Sequence, residues 1–356
     1  KDLAKTLKRI ARYGRDGFYK GPVAKLIENE MKRGNGLITL EDLENYSSKY
    51  RSPVKGTYKN FKIISMGPPS SGGTLLINML NMLEFYPMDT IGWNSSDYIH
   101  IKTEVERRAY ADRAEHMGDP DFWDVPIDFL TSKRYAEKRI QNIQLDKATL
   151  SSSISATKNF GYESPETTHY SVVDQWGNAV SVTTTINLGY GNGCIVDGAG
   201  FFLNNEMDDF SSKPGVPNAF GLVGNEANAI EPEKRPLSSM TPTIVLKNDK
   251  PFLIIGSPGG STIITTTMQT ILNVIDHNMD IKEAVCSARF HSQWLPDVIQ
   301  FEPNSLTKDV RINLESKGHK LFPRSGFIGE ANGILITEDG FYGGGDCRGQ
   351  TSAIGY

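Results

Sequence analysis

The chain has 356 residues, 38% of them hydrophobic and 22% charged, a composition typical of a globular protein with one large core or two modest ones. A net charge of −4, with no basic stripe along the chain, argues against a nucleic-acid partner, and no run approaches the roughly 18 consecutive apolar residues of a membrane helix. Cys194, Cys286 and Cys347 form no CxxC pair; their odd number excludes a complete disulfide framework, offers no zinc signature and leaves the redox compartment open.

The sequence begins at Lys1 and enters an amphipathic helix over residues 1–10 at once, with no signal peptide to read. This is how an internal piece of a longer gene product would start. Gly21-Pro22 precedes Val23, Leu26, Ile27 and Met31, apolar residues at helical spacing after a proline at a helix start, and Gly34 closes that helix. Thr39 and Asp42 form a capping box for the next one. Pro68-Pro69-Ser70-Ser71-Gly72-Gly73 must be a tight turn, followed by helices over residues 74–83 and 98–113, so the first third reads mainly as helix. Residues 147–166 are polar and Ser-rich, an exposed and mobile linker.

At Thr167 the character changes. Residues 168–173 alternate and are β-branched, residues 175–178 turn, and residues 179–186 form a second strand. Further strands are expected over 201–203, 243–246 and 252–255, the last two joined by a hairpin at 247–250. A long helix over 261–275 starts just after Gly259-Gly260, and residues 332–337 and 341–342 form a closing hairpin around Asp339-Gly340. The pattern is that of sheets covered by helices, with the linker ending at the first strand.

That position gives Thr167 its interest. If the Glu166–Thr167 bond were cut, one residue would carry both a hydroxyl and a free α-amine. An α-amine titrates near pH 8, which suits a general base, and a threonine hydroxyl needs such a neighbour to attack a carbonyl. The same hydroxyl could first attack the Glu166 carbonyl, and water would then hydrolyse the ester. An oxyanion site is available in Gly256-Ser257-Pro258-Gly259-Gly260, where two glycines between a strand and a helix start let backbone N–H groups approach a substrate; no P-loop lysine accompanies them. Asn204-Asn205-Glu206-Met207-Asp208-Asp209-Phe210 supplies acids suited to an ammonium group. The Pro-bracketed segment from Lys234 to Pro242 offers the hydroxyls of Ser238 and Ser239 to a carboxylate. Six histidines spread singly make no metal spacing, and His169 and His291 read as structural. No GxSxG elbow occurs.

In this order, these motifs resemble the γ-glutamyltranspeptidase family of N-terminal nucleophile hydrolases. The resemblance runs from Gly67-Pro68-Pro69-Ser70-Ser71-Gly72-Gly73 through Ala109-Tyr110-Ala111-Asp112-Arg113, Gly118-Asp119-Pro120-Asp121-Phe122 and Thr167-Thr168-His169-Tyr170-Ser171-Val172-Val173-Asp174. It continues through residues 204–210, 235–242 and 256–260 to Arg289-Phe290-His291. It implies an α+β fold, a four-layer αββα sandwich, and a precursor cut between Glu166 and Thr167. Residues 1–166 would then be the C-terminal part of a large subunit and 167–356 the small subunit, two parts of one catalytic domain that stay together as a heterodimer. Thr167 would be the nucleophile and Thr185 its hydrogen-bonding partner. Asn187, Glu206 and Asp209 would hold the donor α-amino group, Ser238 and Ser239 its α-carboxylate, and the Gly259 and Gly260 N–H groups the oxyanion. Donors would be glutathione and other γ-glutamyl compounds, acceptors water, amino acids or dipeptides, with neither cofactor nor metal, in the periplasm or outside the cell.

Two departures stand out. Family precursors carry an N-terminal portion before the point where Lys1 stands, holding an arginine for the donor carboxylate and part of the sandwich. In the lid loop, residues 211–229, many bacterial members have tyrosine where Phe220 stands, which implies looser closure. The alternatives are an acylase on the same scaffold, for cephalosporin-type or poly-γ-glutamate substrates, and a non-catalytic γ-glutamyl-binding relative.

Overall fold

The computed structural model describes residues 1–154 and 167–355. The chain divides into two compact units, Lys1–Arg51 with Ile186–Glu206 and Ser52–Thr185 with Met207–Tyr356, so each draws on sequence from both sides of position 167.

The first unit carries helices α1 (Asp2–Tyr13), α2 (Asp16–Tyr19), α3 (Gly21–Gly34) and α4 (Leu40–Asn45). Pro22 stands in the first turn of α3, where its missing N–H costs nothing. Gly34 is the last helical residue, not the terminator: Asn35 takes the left-handed conformation (φ +55°) and donates its N–H to the Met31 carbonyl. At α4 the expected capping box is present, with Thr39 and Asp42 satisfying each other's backbone N–H. Val23, Ala24, Ile27 and Leu43 bury their side chains against Val196 and Ala199. Residues 201–203, expected to be a strand, make only a single bridge, Ile195 to Phe202. Gly198 and Gly200, at φ +73° and +76°, curl the chain too tightly there for a ladder to extend.

The second unit is built on a six-stranded antiparallel sheet. In chain order its elements are β1 (Val54–Tyr58), β2 (Phe61–Ser65), α5 (Gly72–Leu83), α6 (Ser96–His116), α7 (Ile127–Leu130), α8 (Lys133–Ile140), β3 (Thr168–Val173) and β4 (Ala179–Thr184). There follow β5 (Thr243–Lys247), β6 (Lys250–Gly256), α9 (Thr262–Ile275), α10 (Ile281–Cys286), β7 (Phe290–His291), β8 (Ile299–Phe301), α11 (Lys308–Ser316), β9 (Leu321–Pro323), β10 (Asn332–Thr337) and β11 (Gly340–Gly345). The large sheet has the order β1-β2-β5-β6-β10-β11; β3 and β4 pair as a separate hairpin, and β7 to β9 form a small third sheet.

β1 and β2 lie in the stretch the sequence reading took as mainly helical, yet Phe61, Ile63 and Ser65 face inward with the period of a strand. α5 and α9 pack on one face of the large sheet. Ile77 of α5 sits so close to Gly56 that a Cβ there would come within 2.5 Å of its methyl group. Both helices bury nearly every residue, as central helices do. The β3–β4 hairpin covers the opposite face, where the Ser181 hydroxyl donates to the Ile255 carbonyl (3.1 Å) and accepts from the Thr243 N–H (3.1 Å). Helix, sheet and sheet thus stack in order within this unit, an α+β arrangement, and the outward side chains Tyr170, Val172 and Val180 are exposed.

The expectation of a mobile linker needs correction at its start. Residues 147–154, the start of the supposed mobile linker, are anchored: the Thr149 N–H donates to Glu104 (2.9 Å), the Ser151 N–H to Asp297 (2.9 Å), and Trp294 Nε1 to the Ser151 carbonyl (3.0 Å). The remainder of that segment, with Glu166, lies outside the described residues. Cys286, at the end of α10, is joined to Cys347, which follows β11, while Cys194 is a free thiol. Residues beside both cysteines share one ionic cluster, in which Arg348 binds Glu302 (2.6 Å) and Asp346 (2.9 Å) and Arg289 binds Asp346 (2.6 Å). The bridge spans 61 residues, so the Cys286→Ser variant is expected to lose about 2–4 kcal/mol of unfolding free energy in urea, while Cys194→Ser stays within about 0.5 kcal/mol of the parent. Equal stability of all three proteins would show that the bridge contributes nothing.

Candidate active site

Thr167 precedes β3 and is half-buried. Its hydroxyl donates to that of Thr185, which follows β4, at 3.3 Å. The hairpin register, Thr168 opposite Thr184, brings the two threonines together at one end. That end has a fixed place on the large sheet. The His169 imidazole lies directly on Gly256, the last residue of β6, where any Cβ would collide with the ring, and Asn332 Nδ2 reaches the His169 carbonyl (3.5 Å). The segment leaving Gly256 at that edge is Ser257-Pro258-Gly259-Gly260, so Thr167 and the paired glycines belong to the same end of the sheet.

Gly259 and Gly260 have φ of +136° and +56°, conformations that a residue with a Cβ adopts only under strain. They lead into α9, whose first N–H groups, those of Thr262 and Ile263, donate back to the Gly259 and Gly260 carbonyls (3.0 and 3.2 Å) at the positive end of the helix dipole. Phe220 closes over this turn. It is 4% exposed, and a Cβ on Gly260 would come within 2.5 Å of its ring. The loop around it is fastened from the acidic turn, with the Ala219 N–H donating to Asp208 (2.7 Å) and Asn218 Nδ2 to Asp209 (3.4 Å). Backbone and asparagine contacts thus hold the loop where a tyrosine hydroxyl is lacking.

Ser238 and Ser239 are gripped from below by the proline turn. The Ser71 N–H (2.9 Å) and hydroxyl (2.9 Å) donate to the Ser238 carbonyl, the Ser238 N–H donates to the Pro69 carbonyl (2.9 Å), and the Ser70 hydroxyl donates to the Met240 carbonyl (2.7 Å). Gly72 touches Met240 and Thr241 with no room for a side chain. Beneath them Arg113 of α6 donates from Nε to the Ser71 hydroxyl (3.0 Å) and from Nη2 to the Leu237 carbonyl (3.5 Å). Burial lowers its pKa to about 10, a shift that Tyr110 and, after it, the Asp209 carboxylate oppose, so a cationic Arg113 lies under the serine loop. Sequence reasoning missed this supporting role of Ser70, Ser71 and Arg113, although the motifs that contain them were visible.

Asn187 and Glu206 belong to the first unit. Asn187 is buried at φ +75°, an uncommon conformation for a side-chain-bearing residue, with Nδ2 donating to the Asn205 carbonyl (3.2 Å). Glu206 is half-buried, and burial raises its carboxyl pKa. Asp209, Ser238, Ser239, Phe220, Thr167, Thr185, Gly259 and Gly260 all belong to the second unit.

The fold also brings together three residues whose spacing gave no metal pattern. His100, Glu104 and His319 place ligand atoms within 4.8 Å of one another. His100 Nδ1 and His319 Nε2 are 2.7 Å apart, closer than the roughly 3.3 Å that separates two nitrogens on a tetrahedral zinc. The Glu104 oxygens accept from Arg107 (2.5 Å), Arg108 (2.6 Å) and the Thr149 N–H, so the cluster is a hydrogen-bonded polar core. His291 likewise serves structure, bound to Thr265 (2.8 Å) and Gln293 (2.8 Å).

The sequence model for gamma-glutamyltranspeptidase matches residues 1–356. The chain is 49% identical over 348 residues to a glutathione hydrolase proenzyme of Escherichia coli K12, covering 98% of this chain and 60% of that protein, so it spans well under two thirds of that relative's length. A mutant γ-glutamyltranspeptidase of Helicobacter pylori has a solved chain 59% identical to this one, covering 51% of this chain and all of its own, with a TM-score of 0.50. A cephalosporin acylase of Bacillus halodurans is 25% identical but superposes over 98% of this chain and 61% of its own, with a TM-score of 0.82.

His169 yields a test of the sheet contact. It is 5% exposed, bound to Thr183 (2.8 Å) and Ser171 (3.2 Å), and burial lowers its pKa to about 4. Between that value and about 6.5 the unfolded chain binds a proton the folded chain refuses, so stability falls as pH drops through this window and is unaffected above it. The His169→Gln variant is expected to lose about 2 kcal/mol less than the parent between pH 7 and pH 5. Parallel stability profiles in urea titrations would mean that the imidazole is not buried against Gly256.

Proposed function

The chain belongs to the γ-glutamyltranspeptidase family, and from that premise we propose that it performs γ-glutamyl transfer and hydrolysis with Thr167 as nucleophile. The observation that carries this reading is the meeting of the Thr167 hydroxyl with Thr185 at the sheet end that bears Gly259 and Gly260. In the uncut chain the Thr167 nitrogen is an amide and cannot accept a proton. Its hydroxyl attacks the Glu166 carbonyl, and water hydrolyses the resulting ester, leaving two fragments that remain together as a heterodimer and a free α-amine on Thr167. That amine then takes the hydroxyl proton as Oγ1 attacks the γ-amide carbonyl of a donor such as glutathione. The N–H groups of Gly259 and Gly260 receive the oxyanion, and each such donor lowers the barrier by about 2.7–4 kcal/mol. The leaving amine takes the proton, and water or the amine of an amino acid or dipeptide then cleaves the γ-glutamyl ester.

Asn187, Glu206 and Asp209 bind the donor ammonium in this reading, and Ser238 and Ser239 its carboxylate, with Arg113 lending positive potential from beneath. Phe220 covers the bound donor. The site of action is the periplasm or the cell exterior. The Cys286–Cys347 bridge favours an oxidising compartment, and among the described residues no helix is long and apolar enough to cross a membrane. The chemistry draws only on side chains and backbone, without a cofactor.

The acylase likeness in fold supports a second reading, a donor without the α-ammonium. Side-by-side hydrolysis of glutathione, a glutaryl amide and poly-γ-glutamate separates the two, and glutathione is expected to be the preferred substrate. In the full-length precursor, Thr167→Ala is expected to leave one uncut chain by intact mass and to lower turnover at least 10³-fold, on the scale of other lost nucleophiles, while Thr167→Ser retains both activities in part. A processed, active Thr167→Ala protein would overturn the assignment.

A further inference from the structure

Gln293, which follows β7, does not touch the reacting groups and stands in none of the roles above. It is 3% exposed. Its amide nitrogen donates to the backbone carbonyl of Phe220 (3.0 Å), and its carbonyl oxygen accepts from the Ser261 hydroxyl (2.5 Å) and from His291 Nε2 (2.8 Å). The neighbours fix this orientation. The Phe220 carbonyl can only accept, so the amide nitrogen of Gln293 faces it and the amide oxygen faces Ser261 and His291 Nε2, which therefore carries the imidazole hydrogen. A flipped Gln293 amide would set carbonyl against carbonyl at Phe220. Burial lowers the His291 pKa to about 3, so that pattern is unchanged across neutral pH.

Ser261 directly follows Gly260, and Phe220 lies on Gly260. One glutamine side chain therefore bonds the tip of the 211–229 loop and the first residue beyond the glycine turn at once. The other fastenings of that tip, Ala219 to Asp208 and Asn218 to Asp209, run to the acidic turn, and the Asx contacts of Phe220 and Leu222 to Asn218 are internal to the loop. We propose that Gln293 is a positioning residue that latches this loop shut against the glycine turn, and that the strength of the Gln293–Phe220 bond sets how long a bound donor is retained.

The inference rests on the γ-glutamyl reading only for its functional consequence; the latch itself is a statement about the loop. A buried neutral hydrogen bond shifts an equilibrium by roughly two- to tenfold, and that is the effect to look for. Gln293→Met keeps the shape and removes all three bonds. Gln293→Glu keeps the oxygen that receives Ser261 and His291 but, when ionised, has no proton for Phe220. Two readouts apply to each full-length, processed variant at pH 8: hydrogen exchange of the amides in residues 211–229, and kcat and KM for a chromogenic γ-glutamyl anilide. Both variants are expected to speed loop exchange and raise KM by roughly two- to tenfold, with kcat within about twofold of the parent. If Gln293→Met fails to fold, Gln293→Glu decides alone, because its support of Ser261 is intact. Unchanged loop exchange in a folded variant overturns the latch, as does a fall in kcat at constant KM. An inactive parent whose loop exchange still responds to Gln293 would sink the γ-glutamyl reading and leave the latch standing.

Discussion

The candidate site depends on how closely two layers of backbone can approach. β3 lies down on the end of β6 because position 256 has no side chain, and the His169 ring fills the space a Cβ would occupy. Ser181 ties the partner strand to the same surface by bonding the Ile255 carbonyl and the Thr243 N–H. With those contacts made, the start of β3 has no freedom of register, since a slip of one residue would turn His169 outward and Tyr170 into the sheet. Thr167 is then held at the edge where β6 gives way to the glycine turn. An exposed loop could present a threonine equally well, but not against a fixed turn with the precision that the proposed acyl transfer demands.

Around that contact the protein places its charges where side chains must be rigid. α6 is buried for most of its length although it carries Lys102, Glu104, Glu106, Arg107, Arg108, Asp112 and Arg113. Such a helix has no apolar face to explain it, and burying a charge is costly unless it is paired; burial pushes Lys102 and Glu106 toward their neutral forms. Glu104 is met by two arginines and Asp112 by Arg139. Arg113 instead bonds a serine hydroxyl and a carbonyl under the Ser238 loop. This use of a cation to brace backbone, in place of an ion pair, leaves its field directed at the loop and at Asp209.

Local chemistry was legible in the sequence wherever one residue decides the outcome within a few positions. Thr39 and Asp42 cap a helix, Asp174 to Asn178 turn a hairpin, and Gly259-Gly260 mark a turn into a helix. What failed was of two kinds. Residues 54–58 and 61–65 are two strands of five residues each, and the helices on either side of the pair masked their period. The other failures were contacts between distant residues: Cys286 with Cys347, His100 with His319 across 219 positions, and Gln293 with Phe220. No spacing rule reaches such pairs, because only the folded chain defines them. The candidate site was readable in its parts because each lay in a recognisable motif, while the residues bracing it lay in the same motifs with no sign of what they would touch.

The burial of Glu206 bears on which donor the proposed site prefers. A carboxyl whose pKa is raised by burial has lost hydration with no compensating charge among the described residues, which is costly unless a cation arrives. A γ-glutamyl donor brings an ammonium group, and its binding would restore to Glu206 the stabilisation that folding removed. A glutaryl donor brings none, and the same carboxyl would stay uncompensated. Serines suit the other end of the donor for the converse reason. Ser238 and Ser239 add no charge of their own, and in the proposed site the nearby cation is Arg113, which bonds the backbone of their loop at the Leu237 carbonyl. Amino-acid head groups carry both charges, and the proposed set of side chains offers each charge its complement; on an acylase substrate with only the carboxylate, half of that complementarity would be spent against binding.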